Sequence, residues 1–191
     1  MRVSIREFLG HPSLDEPAVT RPFGQTVYRR MAEVLKRTRA HEVIRFEVPA
    51  GLLMDYSFCD ETLGRMYKEL ATGMWENLYI ITEVASELQF DNLGASIRLR
   101  KVAARVLFQN QYHLVVAEDR KGLDELTETI DLVDRYRRVT AADLARDHGL
   151  NPTAWNNRLA RAYAQRLIFR APEVLLSGGR QYVYETLLDK V

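Results

Sequence analysis

The period at which apolar residues recur changes several times along this 191-residue chain, and each change marks an element. Arg2–Phe8 alternates, with Val3 and Ile5 on one side, and predicts a short first strand. His11 to Gly24 holds Pro12, Pro17, Pro22 and Gly24 and reads as a loop. In Gln25–Arg37, Val27, Tyr28, Met31, Val34 and Leu35 fall on one helical face. Val43-Ile44-Arg45-Phe46-Glu47-Val48 alternates again, a strand over 42–48 that Pro49, Ala50 and Gly51 stop. Leu63, Met66, Tyr67 and Leu70 predict a helix over 57–72, with Gly73 near its end as a C-cap. Leu78–Thr82 is a β-rich run of the buried-strand kind. Residues 83–92 read as a loop or cap region. Residues 94–109 read as a second long helix, with Arg98, Lys101 and Arg105 striped along its outer side, and 112–117 as a strand. The order β–α–β–α–β–α–β predicts an α/β layer with a largely parallel sheet and right-handed crossovers.

The charged break at Glu118–Gly122 is read as a domain boundary, and the pattern beyond it is different. Leu123, Leu126, Ile130 and Val133 space a helix over 122–137. Thr140, with Asp143 three residues on, opens a short helix that ends at Gly149. Asn151 and Pro152 then supply a cap and a first-turn proline for a helix over 152–166, with Trp155, Leu159, Ala162 and Tyr163 inward. Val174-Leu175-Leu176 and Tyr182-Val183-Tyr184 flank a Gly178-Gly179 turn and predict a hairpin.

Composition adds bounds. A hydrophobic content of 47% with 28% charged residues describes a globular chain able to bury a core. No apolar run approaches a membrane span, and Met1–Glu7 has no signal-peptide core, so a cytoplasmic protein with no membrane contact is expected. The one cysteine, Cys59, excludes an internal disulfide and a cysteine-clustered zinc site. The net charge of +1 is uneven: residues 1–134 carry 17 Lys/Arg against 21 Asp/Glu, and 135–191 carry 10 against 5. A basic C-terminal part hints at a nucleic-acid contact.

Two resemblances follow from these motifs. The strand, then Asp55-x-Ser57, then a helix beginning Phe58-Cys59-Asp60-Glu61 resembles the STAS fold of anti-sigma-factor antagonists, and more closely the uncharacterised STAS-like domains with a Ser-Phe followed by acids at this junction. It covers about residues 1–118. In the antagonists the motif is Asp-x-Ser-Gly and a partner kinase phosphorylates the serine. Here Phe58 stands in the glycine's place, so the position of Ser57 carries over without its modification following from it. Residues 123–188 resemble the winged helix-turn-helix domain, through Val139-Thr140-Ala141-Ala142-Asp143-Leu144-Ala145, Gly149-Leu150, Leu159 and the hairpin. Leu159 falls one place later than in simple motifs of this kind, and His148 takes a position that is usually apolar. The fold class expected is therefore an α/β STAS-like domain with a mixed or parallel sheet over 1–118, and an α+β winged helix-turn-helix domain over 123–191.

Candidate chemistry lies at two places. At the turn, Ser57 reads first as a helix N-cap with Asp60 reaching back, and alternatively as a phosphosite in a partner-facing turn of Asp55, Ser57, Phe58 and Asp60. No histidine accompanies Asp55, Asp60 and Glu61, and no phosphate loop, nucleophile triad or metal-ligand spacing appears. No catalysis, cofactor or metal is expected, and Cys59 reads as a buried helix residue. In the last domain the resemblance implies a helix that enters the major groove of double-stranded DNA. Thr153, Asn156, Asn157 and Arg161 are its expected outward side chains, with Arg158, Arg180 and Gln181 on phosphates. The function expected is a DNA-binding transcriptional regulator whose N-terminal domain supplies dimerisation, a homodimer contact, or a kinase-controlled input. The alternative is an adaptor without DNA that contacts a histidine-kinase-like ATPase or a sigma-factor-circuit protein.

Overall fold

Five strands build the first sheet in the order in which the chain makes them. In the computed structural model, which describes residues 1–10, 16–76, 78–117, 120–174 and 178–190, the chain divides into two compact units, residues 1–118 and 119–190. In the first unit β1 (Arg2–Ser4), β2 (Val43–Glu47), β3 (Tyr79–Val84) and β4 (Ala103–Phe108) are parallel neighbours, and β5 (Gln111–Val116) returns antiparallel to β4. The three parallel steps all move the same way, so right-handed crossovers place their helices on one face. These are α1 (Arg6–Leu9) and α2 (Arg21–Arg37), then α3 (Tyr56–Cys59), a π-helical turn (Asp60–Gly64) and α4 (Arg65–Ala71), then α5 (Glu87–Leu99). Ile44, Phe46, Ile80, Ala104 and Val106 share one buried core with Met31 and Leu35 of α2, Met66 and Leu70 of α4, and Leu93 and Ile97 of α5. The alternate strand positions carry a charge ladder: Arg2 to Glu47 and Glu83 at 2.9 and 3.1 Å, and Arg45 to Glu83 at 2.9 Å.

Several elements differ from those expected. The first strand ends at Ser4 and a helical turn follows it. Helix α2 starts at Arg21 because Pro22 sits in its first turn, where a missing N–H costs nothing. Gly24 is helical, not a loop residue; a Cβ there would meet Glu61 Cβ at 2.9 Å and Phe58 O at 3.2 Å. The expected helix over 94–109 is corrected most. Ser86 and Gln89 form a capping box that starts α5 at Glu87, inside the stretch expected to be a loop or cap region. The helix ends at Leu99, and 103–108 is a central strand. The stripe of Arg98, Lys101 and Arg105 therefore does not exist. Arg98 is on α5, Lys101 is in the turn, and Arg105 is 3% exposed on β4, its guanidinium 5.7 Å from the Tyr112 ring.

In the second unit α6 (Arg120–Tyr136), α7 (Ala141–His148) and α8 (Pro152–Ala164) pack with a three-stranded antiparallel sheet of β6 (Arg138–Thr140), β8 (Arg180–Glu185) and β7 (Phe169–Val174), in that spatial order. Leu126, Ile130, Val133, Leu144, Trp155, Leu159, Ile168 and Val183 are buried in it. Thr140 accepts from the Asp143 N–H at 3.1 Å and the Asp143 carboxylate accepts from the Thr140 N–H at 3.0 Å, the expected capping box. Gly149 takes φ 81° as a C-cap, and Asn151 caps α8 by accepting from the Ala154 N–H at 2.8 Å. His148 takes the apolar slot by joining an aromatic row, its ring edge-on to Tyr136 and Trp155. Three expectations change, the first being that the leading hairpin strand runs over Phe169–Val174, where 174–176 was expected. Strand β6 was not foreseen, and Arg120–Gly122 begins α6 instead of forming a break. Leu175 and Leu176 of the expected hairpin, His11–Asp15 of the expected loop, Glu118-Asp119 of the boundary and the final Val191 lie outside the described residues.

Candidate functional site

Asp55, and not Ser57, caps the helix at the turn. Its carboxylate accepts from the Phe58 N–H at 2.7 Å and from the Thr20 N–H at 3.3 Å, so it also pins the strand of chain that leads into α2. The carboxylate, with two oxygens, serves both donors. Ser57 is the second residue of α3, half-buried, and its hydroxyl makes no hydrogen bond among the described residues. Asp60 does not reach back to it. That carboxylate, 5% exposed, accepts from Arg100 Nε at 2.7 Å, Arg21 Nη1 at 2.9 Å and Ser96 Oγ at 3.3 Å. Burial alone would raise its pKa; the Arg100 and Arg21 guanidiniums outweigh burial and hold it below the usual carboxylate value. Glu61 shares Arg21 at 2.7 Å.

Phe58 and Cys59 are fully buried in the core. Burial, with the Asp55 and Asp60 carboxylates nearby, pushes the Cys59 thiol up, away from the thiolate a nucleophile needs. Further along, in α4, Glu69 is buried among Tyr28, Arg65 and Trp75: Tyr28 Oη donates to it, Arg65 Nε at 2.9 Å and Trp75 Nε1 at 3.0 Å. Burial opposes its charge and the three donors prevail, so its pKa also lies low, while burial and this carboxylate push Tyr28 up. The acids of this region are thus committed to internal partners. Among the described residues no group of three or more His, Cys, Asp or Glu is placed to hold a metal ion, and no helix is long and apolar enough to cross a membrane.

In the second unit the exposed stripe of α8 carries Thr153, Asn156 and Asn157. Arg158 and Arg161 turn instead toward α6. Arg158 stacks on Trp155 and meets Glu128 at 2.7 Å and Glu125 at 3.9 Å; Arg161 lies 3.9 Å from Glu125. The acids of α6 also change the charge count. Residues 119–190 hold 12 Lys/Arg and 11 Asp/Glu, a net of +1, where 135–191 alone gave +5. Arg137, Arg138 and Arg146 are ion-paired as well.

Beside the α8 stripe stands a column that the sequence did not single out. The Arg170 guanidinium lies 4.0 Å from the Tyr163 ring centre and 4.3 Å from that of Tyr182, and Arg166 lies 5.2 Å from Tyr163. Tyr184 Oη meets Asn156 Oδ1 at 3.4 Å; burial raises its phenol and the Arg170 guanidinium pulls the other way. Arg166, Arg170 and Arg180 have no carboxylate partner among the described residues, and Arg166 Nε and Nη1 are buried with no acceptor. An open groove lined by Thr140, Pro152, Thr153, Asn156, Gln181 and Tyr182 runs between the starts of α7 and α8 and the hairpin. Gln181 donates to Glu173 at 2.7 Å, and Arg180 is exposed at the hairpin's end.

No family model, curated protein or solved structure matches the chain. The spacing Tyr163-x-x-Arg166 on a helix end was a legible pair. Its connection to Arg170 and Tyr182 depends on the hairpin register, which pairs Arg170 with Tyr184 and Pro172 with Tyr182.

Proposed function

We propose that residues 119–190 are a winged helix-turn-helix unit that binds double-stranded DNA, and that the α/β unit, STAS-like by its turn, receives the controlling input of a transcriptional regulator. The observation that carries this reading is the set of unneutralised guanidiniums beside an uncharged, amide-bearing helix stripe. Thr153, Asn156 and Asn157 would face base edges, where an asparagine can bond adenine bidentately. Arg166, Arg170 and Arg180 would take phosphates, with Gln181 at the hairpin. Stacking between two tyrosines leaves the guanidinium edge of Arg170 for an anion while its faces are occupied. Arg158 and Arg161 hold α8 against α6 in this reading.

The test is mobility shift with random-sequence duplex, starting near 50 mM salt. Three phosphate contacts give a slope of log K against log salt of about −3. Arg170→Ala should weaken binding to all sequences alike and flatten that slope by about 1 unit. Absence of a shift at low salt, or a flat salt response, overturns the reading.

The low net charge of the unit and the pairing of five of its ten arginines favour a second reading, an adaptor that contacts proteins through both units. In that case the uncommitted Ser57 hydroxyl is the place for a kinase-controlled contact with a histidine-kinase-like ATPase. Mass spectrometry after co-expression with such a kinase decides it; an unmodified Ser57 removes the switch.

A further inference from the structure

We infer that the free edge of β5 pairs with β5 of a second copy of this chain, joining two five-stranded sheets across a two-fold axis at Leu114. The argument begins with the hairpin. Phe108 and Gln111 close a two-residue turn whose Gln109 and Asn110 have φ 50° and 60°, so Phe108–Gln111, Val106–His113 and Ala104–Val115 are the hydrogen-bonded pairs of the ladder. Tyr112, Leu114 and Val116 then aim their N–H and C=O groups away from β4. None of these groups has a partner among the described residues.

Sheet edges are ordinarily guarded by charge, proline, a bulge or shortness. The opposite edge obeys: β1 has three residues and bears Arg2. The edge at β5 has six, Gln111-Tyr112-His113-Leu114-Val115-Val116, with no Lys, Arg, Asp, Glu or Pro, and its pairing to β4 runs unbroken from Gln111 to Val116. Tyr112 is 39% exposed at the outer end of the strand, with Arg105 against its ring.

A second copy is the occupant these residues fit. Antiparallel pairing about Leu114 sets Tyr112 opposite the partner's Val116 and Leu114 opposite the partner's Leu114. All three outward residues then fall in hydrogen-bonded pairs, which gives six N–H···O bonds. Aromatic–β-branched and aliphatic pairs are the favourable cross-strand kinds. An isologous contact sets the residue on the axis against its own copy and brings the same short strand together twice, so a charged edge would repel itself; this one carries no charge to do so.

Sedimentation of the full chain across about 1 to 200 µM tests this, together with amide exchange. A dimer is expected, with Tyr112, Leu114 and Val116 amides more protected at high concentration than at low. Leu114→Pro removes an outward N–H and leaves the inward ladder at His113 and Val115 intact, so it should weaken dimerisation at least tenfold. Leu114→Lys should do the same by opposing two charges on the axis. Circular dichroism matching the wild type establishes that each variant folds. A wild-type monomer at 200 µM, concentration-independent exchange at the three amides, or variants that dimerise like wild type overturn the proposal. A monomer that still binds duplex DNA would overturn this interface alone, because the interface does not rest on the DNA reading.

Discussion

Replacing Arg100 by methionine tests whether the Asp60 cluster holds the turn, since the change keeps the packing stem and removes the charge. Asp60 is 5% exposed, Arg100 23% and Arg21 48%. Breaking a buried ion pair by removing one partner costs roughly 3–5 kcal/mol. Here a second guanidinium stays 2.9 Å from Asp60, so the expected loss is smaller, about 2 kcal/mol, the worth of a hydrogen bond to a charged group. Each unit has one tryptophan, Trp75 and Trp155, so urea unfolding in a Trp155→Phe background lets Trp75 fluorescence report the first unit alone. Acidification gives a second readout. A carboxyl held below its usual value stabilises the fold above its unfolded pKa of about 3.9, and this contribution is lost as pH falls through the lowered folded value. Arg100→Met should lose less on acidification, having less to lose. Adding Asp60→Asn to Arg100→Met removes the stranded charge, so the double variant should be less destabilised than the two single changes summed. A loss under about 0.5 kcal/mol, or additive single changes, would refute the cluster's role.

Further outcomes follow from close packing and backbone geometry. A Cβ at Gly64 would lie 1.8 Å from Ser96 Oγ, so Gly64→Ala should destabilise by about 1–3 kcal/mol despite alanine's better helix propensity. Ser96→Gly should recover part of that loss in urea denaturation, and a stabilised Gly64→Ala would show that the helices are free to separate. Lys101 holds φ 54°, so Lys101→Gly should raise stability by about 0.5–1 kcal/mol; an unchanged urea midpoint would mean that the lysine side chain offsets the strain.

That lysine also explains what the sequence hid. The pattern carries the expected helix past Leu99 to 109 because the real end has no glycine. Val102 N–H bonds Ile97 O at 3.3 Å and Lys101 N–H bonds Arg98 O at 3.2 Å, a Schellman ending with lysine in the left-handed position. Helix α8 closes likewise on Arg166, φ 60°, through Leu167 N–H to Ala162 O and Arg166 N–H to Tyr163 O. Periodicity then misleads, because Val102 and, in β4, Ala104 and Val106 alternate within a mostly apolar run, and such a run fits a helix equally well. At Thr140, Gly149 and Asn151 the caps make the boundaries legible, whereas the capping box of Ser86 and Gln89 starts α5 seven residues before the expected helix. The α/β character with a mostly parallel sheet was legible for the same reason, since the alternation in β2 and the spacing in α2 and α4 are clean.

Charge was the least legible property, and it bears most on function. A count along the chain made residues 135–191 basic, yet α6 supplies the acids that bind Arg158 and Arg161, and Glu173 takes Arg138. A counted cation offers an anion little once a carboxylate holds it, because the ligand must then displace a partner already in contact. What remains is set by pairing in three dimensions: Arg166 and Arg170 stacked on tyrosines, and Arg180 exposed at the hairpin. Tyrosine fixes a guanidinium without neutralising it, whereas glutamate fixes and neutralises it together. Arg158, held by the α6 carboxylates, and Arg170, held between two tyrosines, therefore differ in how much of their charge is left for an anion.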